Sequence, residues 1–217
     1  PTPQESTTTT STSESPVIPE VIHQSIVSFD ASTTQTLSVA DLDSMRGAVT
    51  TATTPAMDDG QTREVMMNVA GPQQSATPIN TKQFLSAYLP SLSGAASLFS
   101  SDLTTWLYFD GTPTASPKFG VALMLDDTAS LTQASSTIAV VEQHLDEVAN
   151  LFVPQVTAPG TPKFNDGTIG SVKVRFMVFS SGNVFEYGWA NYQGHMYLLM
   201  ATSYPQMKDI VSRLSLN

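Results

Sequence analysis

The sequence predicts an α+β fold: a mixed, largely antiparallel sheet with packed helices, ending in a three-stranded meander followed by a helix. Three observations carry that expectation. Val172, Val174, Phe176 and Val178 alternate with Lys173, Arg175 and Met177, the period of a strand with two unlike faces. Ile138, Val141, Leu145, Val148 and Phe152 recur at steps of three and four, which draws one apolar stripe along a helix. The helical segments interrupt a hairpin-rich set of strands instead of following each strand in turn, which disfavours a strictly parallel α/β sheet.

Taken in order, residues 1–17 are rich in Thr, Ser and Pro and hold too little apolar surface for a core, so they read as a flexible linker. Residues 18–217 read as a single α+β domain. Stalks of this composition separate surface domains from an anchor, and a membrane helix encoded before Pro1 is the expectation. Val21–Phe29 is a short strand candidate. Ser38 followed three residues later by Asp41 approximates a capping box, and Leu37 with Leu42 has hydrophobic-staple spacing, so a helix is expected from there to about Gly47 or the "VTTATT" run. Asp58-Asp59-Gly60 is turn chemistry, and Arg63–Val69 is the next strand. Asn80 and Gln83 form a second capping box ahead of Phe84, Leu85, Tyr88 and Leu89.

Pro90 closes that helix and a looser segment follows. Leu103–Gly111 and Lys118–Asp127 read as strands, and the strongest helix spans Ser130–Phe152. In the meander, Ser180–Asn183 makes the first turn, Val184–Tyr192 returns, Gln193-Gly194 makes a tight second turn, and His195–Ala201 is the third strand. Ser203-Tyr204-Pro205-Gln206 starts the last helix, with Pro tolerated in its first turn and Met207, Ile210, Val211 and Leu214 packing it down.

Composition removes several kinds of function. The chain of 217 residues carries nine Lys and Arg against nineteen Asp and Glu, a net charge of −10. Nucleic-acid binding needs clustered cations to displace phosphate counterions, so no nucleic-acid partner is expected. No polybasic patch marks a membrane surface, so membrane contact would come only through an anchor outside this chain. Cysteine is absent, which removes disulfides, thiolate nucleophiles and Cys-based zinc sites together. Charged residues are only 13%, and Ser, Thr, Asn and Gln carry the polar surface instead, a balance that suits an exported protein. No apolar run approaches the length of a membrane span.

The chemistry-bearing clusters each have a plainer structural reading. Glu142, His144, Asp146 and Glu147 hold the only His and carboxylate group in close sequence, with His144 and Glu147 at helical i, i+3 spacing. Further ligands would have to come from elsewhere, and a solvated helix face is the better account. Asp58 with Asp59, and Asp126 with Asp127, sit beside element ends where Asp caps helices or makes turns. Asn165-Asp166-Gly167 lacks the downstream carboxylate of a calcium loop and reads as a turn. No nucleophile elbow, phosphate-binding loop or dinucleotide fingerprint occurs. No cofactor and no metal site are therefore expected, and no catalytic residue.

The candidate binding residues lie in the meander: Arg175, Glu186, Tyr187, Trp189 and Tyr192. Alternation places Phe185, Tyr187 and Trp189 on one strand face and Glu186 with Gly188 on the other. Such an aromatic face is ordinarily core, and is a binding surface where the sheet stays open. Arg175 and Glu186 lie on neighbouring strands with a cross-strand ion pair within reach, worth about 0.2–1 kcal/mol.

"FNDGTIGSVKVRFM", a two-strand return and "HMYLLMATSYPQMKDIVSRL" resemble a pattern in uncharacterised membrane-anchored surface proteins of candidate-phyla (Patescibacteria-type) bacteria. Phe164, Asp166, Gly167, Arg175, Thr202 and Ser203 match it, while Ser171 stands near where that pattern has Asn. The likeness extends over roughly residues 18–216 and includes "INTKQFLSAYLPSL", "WLYFDG" and "VALMLDD" in similar order. It implies an anchored extracytoplasmic domain and assigns no catalytic residue.

The expectation is a non-enzymatic domain on a stalk at the bacterial cell envelope, interacting with a protein or a surface polymer. The alternatives are a hydrolase with a site assembled from dispersed residues, and a structural subunit of an envelope assembly.

Overall fold

A computed structural model describes residues 23–70, 75–111, 116–161, 163–179 and 182–215. The linker expected over residues 1–17 lies outside the described residues. The described strands form one continuous sheet in the order β1 (Ala31–Leu37), β2 (Thr62–Val69), β4 (Phe99–Tyr108), β5 (Lys118–Leu125), β9 (His195–Ala201), β8 (Val184–Tyr192), β7 (Val172–Val178), β6 (Asn165–Ile169), with the short β3 (Thr77–Pro78) paired to β2. Among the described strands only β1 and β2 run parallel, so the α+β expectation holds. The parallel pair needs a crossover, which α1 (Leu42–Ala52) supplies.

The first elements differ from expectation. Residues 23–29 form no strand, and the strand begins at Ala31 instead. Its sequence, ASTTQTL, is mostly hydroxyl side chains with one amide, on an edge strand, so the apolar alternation that reveals other strands is missing. The α1 N-cap is Asp41, whose Oδ1 accepts the Ser44 N–H at 2.8 Å, in place of Ser38. Met45, Ala48, Val49 and Ala52 are its buried face. For α2 (Thr81–Tyr88) the expected capping box forms in full: Asn80 Oδ1 accepts from Gln83 N, and Gln83 Oε1 from Asn80 N, both at 2.9 Å.

After a run of 3₁₀ turns (Pro90–Leu98), β4 (Phe99–Tyr108) pairs with β5 (Lys118–Leu125), and β5 pairs in turn with β9 at the sheet centre. The single helix expected over Ser130–Phe152 is broken into α3 (Leu131–Ile138), a 3₁₀ turn (Ala139–Gln143) and α4 (Leu145–Ala149). His144, at φ −118° and ψ 61°, leaves the helical region between them. The apolar stripe survives the break, since Ile138, Val141, Leu145, Val148 and Phe152 are all buried. What the unwound turn changes is the polar face. Glu142 swings to Arg175, while Glu147 accepts from the Ser91 backbone N–H and from its hydroxyl at 2.6 Å.

The C-terminal meander has one strand more than expected: β6 (Asn165–Ile169), β7 (Val172–Val178), β8 (Val184–Tyr192) and β9 (His195–Ala201). Asn165-Asp166-Gly167 is not a turn but the start of the edge strand β6, paired with Phe176, Arg175 and Val174. The chain reverses instead at Gly170, whose φ is 55°. Gln193 and Gly194, both at positive φ (53° and 86°), make the two-residue β8–β9 turn.

The sheet is covered on both faces. Helices α1 to α4 bury one face around Phe84, Tyr88, Phe119, Phe179 and Phe185. The other face takes α5 (Tyr204–Arg213), whose Met207, Ile210 and Val211 pack over Trp106, Val172, Val174 and Leu199. Gly120 makes this possible: a Cβ there would stand 2.6 Å from the Trp106 ring and 2.7 Å from Gln206 Nε2. Beside α5 lies a strap, residues 23–30, with Ile26, Val27 and Phe29 against the same core and Phe29 stacked on Trp106 at 6.2 Å.

Candidate functional site

On the face covered by α1 to α4, the β6–β7–β8 end of the sheet stays partly open. Register places Asp166, Arg175 and Tyr187 side by side on that face, and the 3₁₀ turn brings Glu142 down beside them. The Arg175 guanidinium donates Nε–H to Glu142 Oε1 at 2.8 Å and Nη2–H to Oε2 at 2.7 Å, a bidentate pair. Its Nη1 reaches Asp166 Oδ1 at 3.0 Å, and the Tyr187 hydroxyl donates to Glu142 Oε1 at 2.6 Å. Arg175 also lies over the Phe164 ring, 5.9 Å from its centroid.

Burial pushes the Glu142 carboxyl up, but the Arg175 and Tyr187 hydrogen bonds and the guanidinium charge more than offset that and hold it below the ordinary Glu value. Arg175 is raised, first by the Glu142 hydrogen bond, and Tyr187 is raised by burial and then by donating to Glu142. Near neutrality Glu142 is thus a carboxylate, Arg175 a guanidinium and Tyr187 an un-ionised phenol. These groups line a cleft of about 750 Å³, completed by Trp189, Lys173, Thr168, Ser135 and Ala139. Trp189 is half-buried, and its ring stacks on Phe99 at 6.2 Å with 6° between the planes.

Of the expected binding residues, the fold therefore brings Arg175, Tyr187 and Trp189 together. The aromatic strand face is core at Phe185, fully buried, and opens toward solvent at Trp189. Glu186 and Tyr192 fall elsewhere. Arg175 stands opposite Tyr187 while Glu186 stands opposite Phe176, so Arg175 and Glu186 point to opposite faces and the expected pair does not form. Glu186 is buried on the α5 face at 3% exposure, its Oε2 is without a hydrogen-bond partner among the described residues, and burial pushes its carboxyl up to about 7.

Tyr192 lines a second groove, of about 910 Å³, between the strap and the β8–β9 hairpin. Tyr197 lies beside it at 6.5 Å between ring centroids. The strap wall is fastened by polar contacts that the sequence does not announce. His23 Nδ1 pairs with Asp102 Oδ1 at 2.8 Å and Nε2 with Glu64 Oε1 at 3.0 Å. The Asp102 and Glu64 hydrogen bonds raise the imidazole to about 9, so it is an imidazolium at neutral pH. Ser25 donates to Glu64 Oε1 at 2.5 Å, not to His23, so no hydroxyl–imidazole relay exists in this group. The two carboxylates occupy opposite nitrogens of one ring, and among the described residues no three His, Asp or Glu side chains converge as a metal-ligand set. At its other end the strap is held by Asp30, which accepts from Thr62 N–H at 2.7 Å and Arg213 Nη2 at 2.8 Å.

No family model, no curated protein and no solved structure matches this chain.

Proposed function

We propose that this chain is a non-enzymatic extracytoplasmic domain, tethered through its Thr/Ser-rich N-terminal segment at a bacterial cell envelope, that binds a surface polymer or protein through the Arg175 cleft. The observation that carries the reading is the cleft itself. An open site of about 750 Å³ presents an oriented indole beside a fixed array of hydrogen-bonding groups, a combination of shape and convergent polar atoms typical of ligand sites.

The chemistry of the charged groups supports binding over catalysis. A general base or acid works best with its pKa near the operating pH, yet Glu142 is held low by Arg175. His23 has both ring nitrogens engaged by carboxylates. Glu186, the carboxyl raised to about 7, is sealed within the α5 face.

The test is co-sedimentation of the purified chain with bacterial envelope fragments and with the polymer stripped from them. Ala139→Trp serves as the blocking variant, because position 139 is exposed at the cleft wall and leaves the core untouched. Retention by envelopes that Ala139→Trp abolishes supports the reading. Absence of retention, or retention indifferent to Ala139→Trp, rejects the cleft as the binding site.

A further inference from the structure

We infer that the ligand of this cleft is an uncharged saccharide, one pyranose ring lying on Trp189 and its hydroxyls held by the Glu142–Arg175–Asp166 array. This rests on the reading of the cleft as a binding site and specifies what it binds.

The first argument is the state of Trp189. The other tryptophan, Trp106, is fully buried, as the apolar area of an indole favours. Trp189 instead keeps part of its ring in the cleft while Phe99 stacks parallel to it and fixes its plane. A rigid, partly wetted indole is a platform for a flat apolar surface, and the axial C–H face of a pyranose is one. An anionic group or an extended peptide backbone has no such need.

The second argument is the geometry of the polar groups. The Glu142 carboxylate, the Arg175 guanidinium and the Asp166 carboxylate are joined edge to edge at 2.7–3.0 Å. Such an array presents acceptors and donors at nearly the spacing of vicinal hydroxyls, which donate to one group and accept from the next. The Arg175 donors already face carboxylates, so the spare capacity is mainly carboxylate lone pairs. Those lone pairs accept from hydroxyl groups.

The third argument is charge. Two carboxylates surround one guanidinium, with Lys173 as the remaining cation lining the cleft. There is no cationic excess to reward a phosphate, sulfate or carboxylate ligand, and the net charge of −10 repels a polyanion at long range. An uncharged glycan meets neither penalty, and the volume accepts more than a single ring.

The experiment follows the two indole N–H signals of the protein by NMR as oligosaccharides are added. The probes are uncharged oligomers of glucose, mannose and N-acetylglucosamine, and polygalacturonate as the anionic comparison. At least one uncharged oligomer is expected to shift the Trp189 signal at millimolar concentration or below while the Trp106 signal stays still. Ala139→Trp and Asp166→Asn should weaken that binding by tenfold or more and by a few fold, respectively. Both positions are exposed, so the fold is retained in each variant, and an unmoved Trp106 signal verifies it. The inference is overturned if no uncharged oligomer moves Trp189, if polygalacturonate binds more tightly, or if Ala139→Trp leaves binding intact. Envelope retention that Ala139→Trp abolishes, without any saccharide response, would sink this inference alone. Absence of both would sink the cleft reading with it.

Discussion

Arg175 grips Glu142 through two parallel hydrogen bonds, at 2.8 and 2.7 Å, across 33 residues of sequence. The contact ties the unwound turn after α3 to the centre of the meander, so it serves the fold as well as the cleft. Because the pair is bidentate and half-buried, it exceeds an ordinary surface ion pair. Arg175→Ala should cost about 1–2 kcal/mol in urea unfolding, and Arg175→Lys should recover less than half of that, since a single ammonium cannot span both carboxylate oxygens. Equal stability of the Lys variant and the parent would contradict the bidentate account.

The strap carries its own pH dependence. Folding raises His23 from 6.5 to about 9 through Asp102 and then Glu64. A group raised on folding contributes stability that is complete below about pH 6.5 and is lost as pH climbs through about 9. On the order of 2 kcal/mol should disappear across that window, and His23→Gln should flatten the corresponding part of the stability–pH curve. Direct titration of the imidazole by NMR checks the same point: a midpoint near 6.5 would show that the clamp is not formed in solution.

Glu186 acts in the same direction by a different cause. Burial raises its carboxyl from 4.5 to about 7, so the native state retains a proton that the unfolded chain releases above about pH 4.5. Stability is full below that value and falls as pH rises through 7. Glu186→Gln should therefore gain stability relative to the parent at pH 8 compared with pH 4, by on the order of 3 kcal/mol. Chemical denaturation at the two pH values reads the difference, and an unchanged difference would place the carboxyl in water.

Gly120 is required by volume. A methyl there meets the Trp106 ring at 2.6 Å and Gln206 Nε2 at 2.7 Å, and Gln206 is itself committed to Thr202 N–H and Lys118 C=O. Gly120→Ala should destabilise by about 1–3 kcal/mol and alter the near-ultraviolet circular dichroism of Trp106. A variant with parental stability would mean that α5 shifts freely, contrary to the packing described.

Much of the fold was legible where apolar residues follow a clean period. β7, β8, β9 and α5 begin and end where alternation and turn chemistry place them, and the Asn80 box caps α2 as read. Where polar side chains make the element, the signal fails. β1 is built from Ser, Thr and Gln, and Asn165-Asp166-Gly167 looks like a turn because its strand role comes from pairing with β7. The break at His144 is invisible to periodicity, since a 3₁₀ turn preserves the three-residue step from Ile138 to Val141.

The site was legible by half. Alternation alone put Tyr187 and Trp189 on one face, but Glu142 joins them through a tertiary contact and was read as a solvated helix position. Glu186 was assigned to Arg175 from strand adjacency, and a register of Arg175 against Tyr187 separates them. His23 meets Asp102 and Glu64 only because β2 and β4 are neighbours in the sheet. That adjacency is a property of the topology and leaves no mark in spacing.

The strap also determines how this chain bears tension. A pull on the residues preceding His23 meets ion pairs to β2 and β4 first, then the Asp30 hold on Thr62 and Arg213. Only past Asp30 does the backbone enter β1. Load on the chain ahead of His23 is thus taken up by side-chain clasps before it reaches the hydrogen-bond ladder of β1, and the strap that carries them lies on the sheet face opposite the cleft.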